Sequence, residues 1–187
     1  MKEIEILVDV LESKESALKK LEQFHFVGKK SVLDIYFSDP LRINLQPDKE
    51  GRLNNCFRVR TKDEKTSIAY KVDHFTEKGE WTYSDEHETE VGDFEIIRKI
   101  IEHLGFEILL QIDNEKNTYI TDDYEVVLED VKDLGIFLEV ERLKVDDTED
   151  ISEVKKEIWN FIQTTKIKVG KELNAGKPEL MLKKKLL

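Results

Sequence analysis

Charged residues occupy alternate positions in several apolar segments of this sequence. In the opening segment EIEILVDVL, Glu3 and Glu5 alternate with Ile4 and Ile6. A strand with this pattern has one apolar face and one charged face, because successive side chains point to opposite sides of a sheet. The same alternation recurs along the chain, and its later charged positions are Arg58, Arg60, Lys71, Glu86, Glu88, Glu90, Lys116, Glu129, Glu139 and Glu141.

Carboxylates and cations grouped in this way suit the binding of a polyphosphate together with a metal ion. Two or three carboxylates supply the hard oxygen ligands that Mg²⁺ and Mn²⁺ prefer, and these ions keep positions open for phosphate oxygens. Arg58 and Arg60 carry planar forks that suit bidentate contact with phosphate. The alternative is a solvated outer face, whose ion pairs contribute only about 0–1 kcal/mol each. The two interpretations differ in whether the charged faces enclose a space.

Other catalytic signatures are missing from the sequence. It has no GxxxxGK[ST] phosphate loop, no GxGxxG after a strand, no HExxH and no GxSxG. The single cysteine, Cys56, excludes an intrachain disulfide and a multi-cysteine zinc site. Cys56 alternates onto the charged face of its strand, but no paired histidine is visible, and we interpret it as a small filler residue.

Composition predicts the class of protein and its partners. With 187 residues, of which 39% are hydrophobic and 38% charged, the chain is expected to form a single domain over residues 1–187, with residues 170–187 as a tail that packs on it. The formal net charge of −11 opposes binding to nucleic acid or to a membrane surface. No window approaches the roughly 20 apolar residues of a membrane span, and no signal peptide is visible. We therefore predict a cytoplasmic protein.

The charged strands need a sheet that holds them in register. Amphipathic patterns predict helices over residues 13–24, 92–106 and 150–165. Alternation and turn residues predict eight or nine strands, and the short connections between them favour antiparallel pairing. If such a sheet closes into a barrel, its charged faces all point inward or all point outward. An inward arrangement produces an ionic lumen.

The order and spacing of the motifs resemble the CYTH superfamily, also called the triphosphate tunnel metalloenzymes. The resemblance covers nearly the whole chain, and residues 87–141 are most similar to the CyaB-type, class IV adenylyl cyclase branch. It rests on the ExE strand of Glu3 and Glu5, DIYF at 34–37, FRVR at 57–60, YK at 70–71, HETEVGDFE at 87–95, LGF at 104–106 and LEDVKDLGIFLEVE at 128–141. It implies an α+β fold in which a closed antiparallel eight-stranded β-barrel has helices packed outside it.

The resemblance also implies roles for individual residues. The implied ligands of Mg²⁺ or Mn²⁺ are Glu3, Glu5, Glu139 and Glu141. The implied supporting acids are Glu88, Glu90 and Glu129. The implied phosphate-binding residues are Arg58, Arg60, Lys71 and Lys116, of which Arg58 and Lys116 are also the expected catalytic residues. The implied ligand is a nucleoside or inorganic triphosphate. Whether the chain forms a homodimer is a question that the resemblance leaves open.

Three positions depart from the family pattern. Leu7 stands where the family's ExExK motif has its lysine, and Asn114 and Lys116 stand where a lysine and an arginine are usual. Losing a charge-assisted phosphate contact costs on the order of 1.5–3 kcal/mol of binding. Four interpretations therefore stay open: a CyaB-like adenylyl cyclase, a tripolyphosphatase or thiamine triphosphatase, a binding module with weakened catalysis, and a purely structural barrel.

Overall fold

The computed structural model describes residues 2–77, 79–146 and 148–185. Its strands are β1 (Lys2–Glu3), β2 (Glu5–Val10), β3 (His25–Ser38), β4 (Asn55–Lys62), β5 (Lys65–Phe75), β6 (Trp81–Val91), β7 (Glu107–Ile120), β8 (Tyr124–Val131), β9 (Gly135–Arg142) and β10 (Val169–Glu172). Its helices are α1 (Lys14–Leu21), α2 (Phe94–His103), α3 (Ile151–Thr164) and α4 (Lys177–Lys185), with a 3-10 helix at Ile43–Leu45. The three predicted helices are confirmed as α1, α2 and α3. No helix within the described residues is long and apolar enough to cross a membrane.

All ten strands belong to one antiparallel sheet. Their order is β1-β6-β5-β4-β3-β7-β8-β9-β2-β10. The sheet is strongly curved, as is shown by strands distant in this order that face each other across its concave side. Lys71 Nζ of β5 lies 3.0 Å from a carboxylate oxygen of Glu3 on β1 and 3.7 Å from one of Glu5 on β2. The curvature therefore brings the charged faces of distant strands together.

The prediction of a closed eight-stranded barrel is wrong. The sheet has ten strands, and within the described residues no ladder joins its two ends. Only Lys2–Glu3 pair with β6, whereas Glu5–Val10 pair with β9. The second edge of β2 is occupied by β10, which pairs through Val169 and Glu172. Because β10 occupies the edge that closure would require, the fold is α+β with an open, curved sheet.

Helix α3 packs on the convex face of the sheet, opposite the charged side chains. Ile6 and Val8 of β2 belong to the same buried cluster as Val154, Ile158 and Ile162 of α3. These α3 residues are spaced by four, so they form one stripe along the helix. The apolar half of the alternating pattern therefore makes the main core, which leaves the charged half for the concave side.

Helix α4 closes one end of the concave side. Its Met181 is buried in a cluster with Leu7 of β2, Tyr36 of β3 and Phe137 of β9. Leu7, which follows the acidic positions of β2 on the same face, thus lies under the C-terminal helix and is 8% exposed. The end of the concave side under α4 therefore contains an apolar cluster beside the ionic side chains.

We predict that Ile158→Ala lowers the free energy of unfolding by about 2–5 kcal/mol, because the Ile158 side chain is fully buried and its loss leaves a cavity. Urea denaturation followed by circular dichroism measures this change. The matched control is Ile96→Ala on α2, where the side chain is 59% exposed and a change within about 0.5 kcal/mol is expected. Equal losses in the two variants would contradict the assignment of the core.

Candidate functional site

A cavity of about 290 Å³ lies on the concave side of the sheet. The predicted site residues that line it are Glu3, Glu5, Arg58, Arg60, Lys71, Glu88, Lys116, Glu139 and Glu141. Glu129 has no exposed surface, and its Oε1 lies 3.2 Å from Nζ of Lys116. Glu90 is exposed instead and pairs with Lys65 at 2.7 Å. The structure therefore brings together all the predicted site residues except Glu90.

Strand register explains why the acids of β2 and β9 face the cavity together. Glu5 lies directly opposite Glu141, and Leu7 lies directly opposite Glu139. Directly opposed residues of antiparallel strands project on the same side, and two like charges in such a pair are destabilising. The pairing of Glu5 with Glu141 therefore creates a local need for positive charge.

Glu3, Glu5 and Glu141 form what we call the acid cluster. Burial, only partly offset by Lys71, raises the pKa of Glu3 to about 7. Burial also raises the pKa of Glu5. Burial and the charges of Glu5 and Glu3 raise the pKa of Glu141 to about 8. These oxygen donors are short of compensating charge, and such a donor set fits a divalent cation of the Mg²⁺ or Mn²⁺ type.

Glu139 is in the opposite electrostatic situation. It contacts Lys177 Nζ and lies 4.0 Å from Lys116 Nζ. Burial alone would raise the pKa of Glu139, but the charges of Lys177 and Lys116 outweigh burial and hold it well below its usual value. Glu129 shares both lysines, at 2.7 Å from Lys177 and 3.2 Å from Lys116. We call these four residues the buried ion cluster, and within it Glu139 is already neutralised.

Lys177 was missed by the sequence reasoning. It is the first residue of α4, in the segment predicted as a packing tail with solvated lysines, but its side chain is only 12% exposed. The residue directly opposite Glu139 is Leu7, which has no charge to offer. The cation at this point therefore comes from the C-terminal helix, and nothing in the local pattern around Lys177 signals that contact.

Asn114 also acts within the buried ion cluster. Its Nδ2 donates a hydrogen bond to Glu129 at 2.9 Å, and its residue is 3% exposed. A neutral amide at this position satisfies one lone pair of Glu129 without adding a third cation to the cluster. Of the three departures from the family pattern, Asn114 and Lys116 thus contact Glu129 directly, and Leu7 lies opposite Glu139.

The arginines on β4 are each held by an acid. Arg58 lies 2.7 Å from Glu86 and 3.4 Å from Glu88, and within the described part of the chain its buried Nε has no hydrogen-bond partner. Arg60 makes two parallel hydrogen bonds to Asp34, at 2.7 and 2.9 Å. Asp34 and Glu86 are site residues that the predicted set did not contain. The sequence contained a signal for both residues, because each lies on a strand with alternating polarity. In the sheet, Asp34 lies opposite Arg60 and Glu86 lies opposite Lys71.

The pairing of Asp34 with Arg60 predicts a pH dependence of stability. Burial alone would raise the pKa of Asp34, but Arg60 outweighs it and lowers that pKa to about 2. Because this value lies below the unfolded-state value of about 4, the pair stabilises the fold above about pH 4 and loses that contribution as the pH falls toward 2, a loss of roughly 2 kcal/mol. We expect Asp34→Asn to flatten this part of the stability curve in urea titrations. The control is Asp122→Asn at an exposed position, and identical curves for the two variants would contradict the assignment.

Comparison with known proteins places this geometry in a family. Residues 1–174 match the family model of the CYTH domain. A Methanocaldococcus jannaschii protein named "Putative adenylate cyclase" is 29% identical over 168 residues, which cover 88% of this chain and 89% of that protein.

Solved structures support the same fold. A Pyrococcus horikoshii protein superposes with a TM-score of 0.80 at 23% identity, covering 97% of this chain and 99% of the other. A Hippeastrum protein, described as a putative adenylyl cyclase with a dominant triphosphatase activity, superposes with a TM-score of 0.63 at 17% identity, covering 98% and 95%. At these identities the likeness concerns the fold. Because the family model spans nearly all of the sequence, this chain belongs to the CYTH domain family.

Proposed function

We propose that this protein is an enzyme that cleaves a triphosphate with the help of Mg²⁺ or Mn²⁺. The observation that carries the proposal is the separation of charge around one cavity. Among the described residues, Lys71 alone forms ion pairs with carboxylates of the acid cluster, whereas Arg58, Arg60 and Lys116 line the same space. A metal-bound polyanion supplies both the positive charge that the acids need and the negative charge that the basic residues need.

The acid cluster is the proposed metal site. Glu3, Glu5 and Glu141 would hold the cation through carboxylate oxygens, and Glu139 stays outside the set because Lys177 and Lys116 already neutralise it. A divalent cation so bound neutralises phosphate charge and makes the phosphorus more susceptible to attack. The proposal therefore uses three of the four predicted metal ligands.

The basic residues would bind and orient the phosphates. Arg58 has a buried Nε without an acceptor, so it offers a donor without breaking an existing bond. Lys71 lies 3.0 Å from Glu3 and 3.7 Å from Glu5, and can exchange these partners for phosphate oxygens. Stabilising the charge that develops on the phosphates in the transition state is the main catalytic task in such reactions.

Lys177 would replace the charge that Leu7 does not provide. Its pKa is raised by Glu129 and Glu139 against the effect of burial, so the ammonium stays protonated. Glu129 has no exposed surface and would keep Lys116 and Lys177 oriented toward the cavity. The proposal thus assigns to the C-terminal helix a contact that the family pattern assigns to the first strand.

Two reactions are candidates. Cyclisation of ATP, in which the ribose hydroxyl attacks the α-phosphorus and pyrophosphate leaves, is supported by the named Methanocaldococcus jannaschii relative, which is 29% identical. Hydrolysis of tripolyphosphate or thiamine triphosphate, in which water attacks a terminal phosphorus, is favoured by the size and charge of the cavity. At about 290 Å³ the cavity is slightly smaller than the roughly 300–1,000 Å³ of small-molecule sites, which suits a triphosphate without a base.

We expect the purified chain to release cyclic AMP and pyrophosphate from ATP, or orthophosphate from tripolyphosphate, in the presence of Mg²⁺ or Mn²⁺. Glu141→Gln should reduce the rate by about a hundredfold or more, because it removes a charged ligand of the metal–phosphate complex. Product analysis by chromatography separates the two reactions. Glu90→Gln is the matched control, since Glu90 lies on the same sheet but outside the cavity.

The outcomes of this experiment are distinct. Absence of product with ATP, with tripolyphosphate and with thiamine triphosphate would overturn the enzymatic proposal. Metal-dependent binding in calorimetry without product would identify the weakened binding module instead. Equal rates in Glu141→Gln and Glu90→Gln would overturn the assignment of the acid cluster.

We also expect Lys177→Gln to weaken triphosphate binding by about tenfold to a hundredfold, the usual loss for one charge-assisted contact. Isothermal titration calorimetry with tripolyphosphate and Mg²⁺ measures the change. Lys185→Gln, at the exposed end of the same helix, should bind as the wild type does. Wild-type affinity in Lys177→Gln would show that Lys177 only neutralises Glu129 and Glu139.

A further inference from the structure

Three metal-ligating side chains converge where α4 closes the concave side. Cys56 of β4, Asp73 of β5 and Glu179 of α4 each offer a sulfur or carboxylate oxygen, and these three atoms lie within 4.8 Å of one another. All three residues line the cavity. Asp73 follows Lys71 by two positions and therefore projects on the same face of β5. The group is separate from the acid cluster and uses none of its residues.

Glu179 carries a sign of a missing ligand. The residue is 4% exposed, and its Oε2 is buried with no hydrogen-bond partner among the residues that the structure describes. Its Oε1 accepts a single long hydrogen bond, of 3.4 Å, from the Leu53 amide. Burial and the charge of Asp73 raise the pKa of Glu179, although the Leu53 and Gly176 amides lie near enough to lower it. A carboxylate buried with so few donors is costly unless a cation or a proton compensates it.

Helix capping accounts for Glu179 only in part. As the third residue of α4 it has the position from which a glutamate can bond back to the amide before the helix. The backbone amides of Glu179 and Gly176 lower the pKa of this carboxyl, yet among the described residues its Oε2 has no hydrogen-bond partner, so capping leaves one carboxylate oxygen unsatisfied. The side chain instead lies near a thiol and a second carboxylate, and the charge of that carboxylate, Asp73, repels it.

We propose that Cys56, Asp73 and Glu179 bind one divalent transition-metal ion of the Zn²⁺ or Co²⁺ class. A thiolate is a soft ligand that favours these ions over Mg²⁺, and three protein ligands leave a fourth tetrahedral position open to the cavity. Ligand atoms around tetrahedral zinc are roughly 3.5 Å apart, so the three side chains need to close by about 1 Å. Binding releases the thiol proton of Cys56, because the ligand is the thiolate.

Such an ion would join the C-terminal helix to the sheet. Cys56 and Asp73 belong to neighbouring strands, whereas Glu179 belongs to α4, two residues after Lys177. The metal would therefore stabilise the docking of the helix that places Lys177 in the buried ion cluster. This proposal does not depend on the proposed function, since it concerns other residues and another class of metal.

Titration of the full chain with Co²⁺ tests the site. We expect a thiolate-to-cobalt charge-transfer band in the near ultraviolet and the intense visible bands of tetrahedral Co²⁺. Cys56→Ser should lose the charge-transfer band, and Glu179→Gln should bind Co²⁺ at least tenfold more weakly. Glu141→Gln, in the acid cluster, should keep the full spectrum, so this result is independent of turnover.

Zn²⁺ provides a second readout. It should displace Co²⁺ and raise the melting temperature of the wild type but not of Cys56→Ser, whereas Mg²⁺ in excess should leave the cobalt spectrum unchanged. Circular dichroism checks that both variants fold. If Cys56→Ser does not fold, the Co²⁺ affinity of Glu179→Gln still tests the proposal. Absence of the charge-transfer band in the folded wild type at saturating Co²⁺, or an unchanged Co²⁺ affinity in folded Glu179→Gln, would overturn the proposal.

Discussion

Lys116 and Lys177 lie between Glu129 and Glu139 at the buried end of the cavity. The docking of the C-terminal helix on the sheet depends on this compensation of charge. A fully buried carboxylate such as Glu129 is tolerated only where cations and hydrogen bonds satisfy it. Here one cation comes from β7 and the other from α4, so the interior charge of the sheet requires the C-terminal helix to be docked. The helix in turn buries Met181 over Leu7. The ionic and the apolar parts of the concave side thus depend on each other.

The same rule divides the acids of the cavity into two groups. Glu139 has two lysines as neighbours and a lowered pKa, whereas Glu141, two residues along β9, faces Glu5 and has a raised one. Carboxylates of one strand and one face therefore differ because of the charges that lie next to each of them. A site with compensated acids on one side and uncompensated acids on the other can take up a metal without losing its lysines. This division supports the proposed roles of the acid cluster and of Lys177.

Much of the fold could be predicted from the sequence because alternation reports the faces of strands. The pattern around Glu3, Arg58 and Glu139 correctly indicates strands with a charged side, and the periodicity of α3 correctly indicates an outer helix. Closure of the sheet could not be read in this way. It depends on β10, a strand of four residues that occupies the free edge of β2 and is too short to show a period. The closed barrel that the resemblance implied is replaced by an open sheet for that reason.

The sequence by itself determined which side chains share a strand face, and this indicated most of the acids and cations that meet in the cavity, with Glu90 and Lys177 as exceptions. It did not determine which partner each of them has. Lys177 lies 38 residues from Glu139 along the chain, and Glu179 lies still further from Cys56, so no local pattern relates them. Alternation is a property of neighbouring residues, whereas charge compensation depends on distances across the folded interior. Only the tertiary structure decides whether a buried acid is held by a lysine, shares a cavity with other acids, or lies beside a thiol.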